Sequence, residues 1–242
     1  YPRWIKLGLP LHPHPVSKIF ATSKLKLFDT KVCKVSYPSI LVAGCGTGQH
    51  PISTAARFKN SQVIAVDLSL SSLAYAQRKT EELDIKNIEY VHSDILNLKK
   101  LDKQFDIIES VGVLHHMNDP MAGWRALVDC LKDGGIMKLG LYSELARKQI
   151  VEIRNDISQL GIGSSNAEMR SYRQALIEPE RDYFKEIRYS SNFYSLSEFR
   201  DLLFHIQEHR FDIPQINECL EKLGLKFCGF NKKAAIQKFR QS

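Results

Sequence analysis

Residues 40–50 read ILVAGCGTGQH: four apolar residues, then glycine at 44, 46 and 48. An apolar run that stops at alternating glycines leaves a chain few folds to choose from. The run suits a buried strand. Glycine lacks Cβ, tolerates positive φ and lets the backbone approach a ligand closely. A strand that passes through such a loop into a helical stretch is a nucleotide-type turn of an α/β sheet. The dinucleotide fingerprint is spaced GxGxxG, with the third glycine beside the pyrophosphate. Here the spacing is GxGxG, and Gln49 stands where that third glycine would be. Asp67 follows about twenty residues on, where a carboxylate can accept hydrogen bonds from both ribose hydroxyls.

The rest of the chain repeats the alternation. Val63–Val66, Ile88–Val91, Phe105–Glu109 and Ile136–Tyr142 read as strands, and residues 49–58, LSLSSLAYAQRKTEEL and 119–131 read as helices, with a turn at Asp133-Gly134-Gly135. Strands and helices at this spacing imply parallel βαβ units, hence a doubly wound, mostly parallel α/β sheet. After a helix over 144–159 the rhythm breaks. Residues 161–210 are expected to form a helical insertion that covers the substrate, before a last helix (Pro214–Leu223) and a final strand (Leu225–Phe230). Residues 1–38, with Pro2, Pro10, Pro13 and Pro15 near their start, read as an extended N-terminal arm or linker, and 39–242 as one domain. The first residue is tyrosine, not methionine, so a longer chain is expected.

The net charge of +7 raises nucleic acid as a partner. Its distribution disfavours that. Residues 1–38 hold seven Lys/Arg and one acid, and residues 231–242 hold four and none. Removing those +6 and +4 leaves −3 for residues 39–230. The five cysteines are scattered without a CxxC pair, which argues against a zinc ribbon or disulfide framework and for a reducing, cytoplasmic setting. No run nears the ~18 apolar residues of a membrane span.

The motifs VAGCGTG, AVDLS, HSDI, FDIIESVGVLHHM and LKDGGIMKLGLYS, in that order, resemble those of class I S-adenosylmethionine-dependent methyltransferases. The resemblance is good over residues 39–143 and looser over 214–230. It is nearest to bacterial methyltransferase domains fused to tetratricopeptide repeats, which implies a fused or partner repeat domain. It implies the Rossmann-like methyltransferase fold and S-adenosyl-L-methionine as cofactor. Gly44, Cys45, Gly46 and Gly48 would pass beneath the methionine moiety, and Asp67 would bind the ribose with Leu68 on the adenine. Asp94 would meet the adenine amino group and Ile95 would add a backbone contact. Ser110 and Val111 would line the floor near the methyl group.

A sulfonium methyl is already activated, so the protein mainly aligns a nucleophile and excludes water. A base is needed only when the acceptor must lose a proton. His115 and Tyr142 are the candidates for that work, and His116, Arg147, Arg200 and His205 for contacts with a small-molecule or peptide acceptor. An arginine can fork onto a carboxylate or phosphate. RDLLFHIQEHRF, if helical, gathers Arg200, Asp201 and His205 within about one turn and sets His205 and His209 at i, i+4. No Glu follows His205 as in HExxH, and neither this pair nor HPHP is expected to bind metal. The insertion is expected to place Arg200 or His205 near Tyr142 and His115. Its aromatic run (Tyr189, Phe193, Tyr194, Phe199) suits either a pocket wall or ordinary core. Two alternatives are a nicotinamide-dependent oxidoreductase, against which Gln49 argues, and an inactive methyltransferase-like binding module.

Overall fold

The computed structural model describes residues 9, 12–23, 25–178, 187–205 and 207–230. Strands β1 (Ser39–Ala43), β2 (Gln62–Asp67), β3 (Ile88–His92), β4 (Phe105–Val111) and β5 (Leu131–Gly140) form one sheet in the order β3-β2-β1-β4-β5. Every pairing is parallel. The central strands β1 and β2 are near-continuous apolar runs, SILVA and QVIAVD, because parallel sheets are covered on both faces. Ile40, Leu41, Val42, Val63, Ile64 and Ile108 are all buried.

The helices are α1 (Val16–Ala21), α2 (Gln49–Arg57), α3 (Leu70–Glu82), α4 (Pro120–Asp129), α5 (Lys148–Gln159), α6 (Asn166–Ala175), α7 (Leu196–Leu203) and α8 (Ile213–Lys222). Their starts are written locally. The Ser69 hydroxyl accepts from Ser72 N at 3.2 Å to begin α3. Asp119 accepts from Met121 N and Ala122 N ahead of Pro120, whose fixed φ suits the first turn of α4. Ser165 and Glu168 form a capping box on α6.

The chain divides into two compact units. The sheet unit takes in the described residues of 5–114, 119–141 and 213–242. In its core Ile40 and Val42, Val63 and Ala65 meet Ala55, Phe58 and Leu73. Part of the expected extended arm is built into this unit: α1 buries Val16 and a short turn at Lys31–Lys34 buries Val32 in the same cluster. The rest of the opening segment lies largely outside the described residues. The helical unit takes in residues 115–118 and the described residues of 142–212. It packs around Ile153, Ile157, Met169, Tyr172, Phe193, Phe199 and Leu203. Phe193 and Phe199 of the aromatic run are therefore core, while Tyr189 and Tyr194 are exposed.

Two sheet expectations need correction. Strand β5 starts five residues early, because Phe105 pairs with Leu131 before a register shift and Asp133-Gly134-Gly135 becomes an irregularity inside the strand. The final strand over Leu225–Phe230 does not form. That stretch has no β-branched residue and contains Gly229 at φ +134°, both weak for a strand. Cys228 O instead accepts from Lys26 N at 2.8 Å.

Candidate functional site

The chain builds outward from β1 through β2 to β3, then returns to lay β4 and β5 on the other side of β1. The switch falls between β1 and β4, and open α/β sheets bind ligands at the carboxyl ends of the strands beside that point. Gly44–Gly48 leave the end of β1 there. Gly44 N and Cys45 N both donate to Val66 O, at 2.9 and 3.0 Å, which pins the loop to the end of β2. Gly44 (φ +73°) has no room for a side chain, since an added Cβ would lie 2.1 Å from Val113. Gly46 (φ +53°) is the opposite case: an added Cβ would meet nothing within 4 Å. Gly48, left-handed at the start of α2, packs against Ala76 of α3.

Asp67 closes the loop. Its Oδ2 accepts from Gly46 N at 2.7 Å and its Oδ1 from Ser69 N at 2.9 Å. Leu68 beside it is 65% exposed, a large apolar side chain left in water next to a carboxylate. Its carbonyl lies 2.9 Å from His92 Nε2 at the end of β3. Asp94 caps the turn that follows, accepting from Leu96 N at 2.9 Å, and Ile95 is buried behind it. The Cys45 thiol is pushed up to about 12, by burial first and by the Asp67 charge second, so it is neutral and no nucleophile. Ser110, at the end of β4, is buried and its hydroxyl has no hydrogen-bond partner among the described residues. Val111 next to it is half-exposed.

Glu109 escaped the sequence reading. Its buried carboxylate meets His50 Nε2 at 3.0 Å, Arg57 Nη2 at 2.7 Å, Lys138 Nζ at 3.5 Å and the Thr54 hydroxyl. Burial alone would raise its pKa. The His50 hydrogen bond and the charges of Arg57, Lys138 and His50 win, and it is held far below the usual carboxylate range. One ion thus ties α2 and β5 to β4, one residue before Ser110. The only signal in the sequence was a single acid inside an apolar strand, FDIIESV.

The helical unit holds the remaining candidates. His115 is buried, and its ring stacks on Tyr142 with centroids 3.7 Å apart. His116 stacks on His205 at 3.9 Å. Burial lowers the His116 pKa and His205 adds to this, against a 3.0 Å bond to Gln207 O. RDLLFHIQEHRF is helical only as far as Leu203, where α7 ends, and residues 207–211 form a strap outside it. The strap finds its hydrogen bonds far along the chain. His209 N donates to His115 O at 2.7 Å and Phe211 N to Tyr142 O at 2.8 Å. The structure so brings His205 to His116 and leaves Arg200 apart, on α7 and exposed, with Asn166 Oδ1 at 3.0 Å. The i, i+4 pairing of His205 with His209 is absent. Arg147 is buried and already forks onto Glu208. Among the described residues no group of three or more His, Cys, Asp or Glu could hold a metal ion.

A cleft of about 420 Å³ lies at the opposite, amino end of the strands, lined by Ser39, Gln62, Glu89, Lys103 and Lys132. Parallel sheets do not bind ligands at that end, so the carboxyl-end constellation is the candidate site.

Residues 40–135 match the family described as Methyltransferase domain. An uncharacterized protein of Synechococcus is 28% identical over 209 residues, covering 81% of this chain and 49% of its own. The malonyl-[acyl-carrier protein] O-methyltransferase of Bacillus cereus is 27% identical over 191 residues, covering 79% and 61%. The structure of PKMT2 from Rickettsia typhi in complex with AdoHcy superposes with a TM-score of 0.65 at 20% identity, covering 96% of this chain and 49% of that one. That likeness shows the shared fold. The chain spans about half to three fifths of these relatives' lengths. No helix among the described residues is long and apolar enough to cross a membrane.

Proposed function

We propose that the chain carries a class I S-adenosylmethionine-dependent methyltransferase domain, a reading supported by the match of residues 40–135 to the family described as Methyltransferase domain, and that it moves a methyl group to a small-molecule or peptide acceptor by in-line displacement. The observation that carries the reading is the joint made by Asp67 and Gly46, 2.7 Å apart at the carboxyl ends of β2 and β1. It fits the cofactor on three counts: an open side at Gly46, a carboxylate beside an exposed leucine, and an unpartnered buried hydroxyl at Ser110.

When bound, S-adenosylmethionine supplies a methyl group already activated on sulfur. The residues that would hold it are Gly44, Cys45, Gly46 and Gly48 under the methionine part, and Asp67 and Leu68 at the ribose and adenine. Asp94 and Ile95 would hold the far edge of the base, with Ser110 and Val111 as the floor. Asp94 keeps one carboxylate oxygen for its cap and the other for this contact. Rigid positioning and exclusion of water provide most of the rate, on the order of 7–11 kcal/mol for well-oriented reactants.

His115 and Tyr142 serve the acceptor, as proton acceptor and hydroxyl donor, four and two residues beyond the ends of β4 and β5. His116 and His205 contact it. Arg147 is committed to Glu208, so of the two arginines named for an anionic group on the acceptor, Arg200, exposed and bonded to Asn166 Oδ1, is the one not held by a buried carboxylate. A fused or partner repeat domain and a cytoplasmic setting complete the reading, the first supported by the motif resemblance and the second by five free cysteines. The test is transfer of labelled methyl from S-adenosylmethionine to fractionated small molecules and peptides. Transfer that falls at least tenfold in Tyr142→Phe or His115→Ala is expected. Transfer untouched by both variants refutes their assignment.

A further inference from the structure

The helical unit contains a stack of planar groups that is anchored by one carboxylate. Glu208 has a side chain only 1% exposed, and three guanidinium groups converge on it. Arg147 Nε donates to its Oε1 at 3.1 Å while Arg147 Nη2 donates to its Oε2. Arg154 Nη2 lies 3.2 Å from Oε2, and Arg210 Nη1 3.8 Å from Oε1. The guanidinium of Arg147 in turn lies 3.9 Å from the centre of the Tyr142 ring. Tyr142 stacks on His115, which meets His116 edge-on at 4.3 Å. Carboxylate, guanidinium, phenol and imidazole follow one another without a gap.

The backbone reinforces this order. Glu208 sits in the strap that bonds His115 O through His209 N and Tyr142 O through Phe211 N, and Glu144 N returns a bond to Phe211 O at 3.0 Å. Arg210 also reaches Glu144 at 2.9 Å. The position of Glu208 is therefore fixed from both sides, and Arg147 is fixed by Glu208. A buried charge held this well is costly unless its partners are in place, so the arrangement is all or none.

We propose that Glu208 is a positioning residue: acting through Arg147, it locks the Tyr142 ring against His115. The inference rests on the acceptor-side reading of Tyr142 given above. The charges around the phenol provide a readout of that lock. Burial raises the Tyr142 pKa, Glu208 and Asp201 add to that, and Arg147 and Arg154 oppose it. His115 and His116 are the remaining titratable groups on its ring. Without the Glu208 charge the arginines are uncompensated and the phenolate becomes less unfavourable, so the Tyr142 titration reports whether the carboxylate is in place.

The experiment is a pH titration of Tyr142 by nuclear magnetic resonance, with the tyrosine ring carbon bearing the hydroxyl labelled and the signal assigned with Tyr142→Phe. In Glu208→Gln the Tyr142 midpoint is expected to fall by roughly one pH unit or more. The ring-current shift that Tyr142 imposes on His115 is expected to shrink. Affinity for S-adenosylhomocysteine should stay within about twofold of the parent, since Arg147, Arg154 and Arg210, the partners of Glu208, are not among the residues assigned to the cofactor. Should Glu208→Gln not fold, Arg147→Lys keeps the charge but loses the fork and the planar stack, and the His115 ring shift decides. A folded variant with the parent's Tyr142 midpoint and the parent's His115 shift overturns the proposal. Full methyl transfer by Tyr142→Phe would instead sink the acceptor-side reading, leaving these two signals to stand by themselves.

Discussion

A glycine loop does several jobs at once, and single substitutions separate them. Gly46 has open space where a side chain would go, and Gly48 does not: an added Cβ there would lie 2.6 Å from Ala76. Gly46→Ala should therefore cost only the left-handed backbone, about 1–2 kcal/mol of stability, yet lose S-adenosylhomocysteine binding well beyond what that cost explains. Gly48→Ala should lose stability first, because α3 must move. Melting curves beside calorimetric titrations check the pair, and equal behaviour of the two would deny Gly46 a place beneath the ligand. The loop and Asp67 were legible in the sequence because their chemistry is local: spacing alone sets a turn and a carboxylate some twenty residues on. Glu109 and Glu208 were not. Glu109 takes Arg57 from 52 residues away and Glu208 takes Arg147 from 61, and no short window contains both partners.

Elements followed the same division. β1 to β4 and helices α2 to α4 were readable from apolar runs, periodicity and caps. The strap at 207–211 was not, because its hydrogen-bond partners are residues 115 and 142 and its letters, QEHRF, are compatible with a helix. Between elements the buried ion at Glu109 is the main joint, since it links α2, β4 and β5. Its folded pKa is depressed, so its contribution is present above the ordinary carboxylate value of ~4.3 and is lost as pH falls below it, where the unfolded chain takes up the proton first. Stability should accordingly decline on acidification below about pH 4.5. Glu109→Gln should flatten part of that slope while costing about 3 kcal/mol at neutral pH, the low end for a broken buried pair because Arg57 and Lys138 are partly in water. Denaturant titrations at pH 3.5, 4.5 and 7 measure both; an unchanged slope would mean that Glu109 is not the ion that matters.

The molecule as a whole is a parallel sheet unit with a helical unit inserted into its chain at two places, 115–118 and 142–212. The sequence announced an insertion over 161–210 and missed that the segment before it, with Tyr142 and Arg147, belongs to the same body. Its core residues, Ile153 and Ile157 of α5 with Phe193 and Phe199, lie about forty residues apart along the chain. The +7 charge sits at the two ends of the sequence, while residues 39–230 carry −3, so cofactor affinity is expected to depend on the loop and Asp67 and not on a general field. The central claim is that this site takes an adenosyl cofactor and not a nicotinamide one. Calorimetric titration of the chain with S-adenosylhomocysteine and, separately, NADH tests it most directly, with Asp67→Ala as the control. The predicted result is one-site binding of S-adenosylhomocysteine, no heat from NADH, and a loss of about 1.5–3 kcal/mol, roughly 10- to 150-fold in Kd, in Asp67→Ala. Binding of NADH without S-adenosylhomocysteine, or an Asp67→Ala variant that binds S-adenosylhomocysteine like the parent, would contradict it.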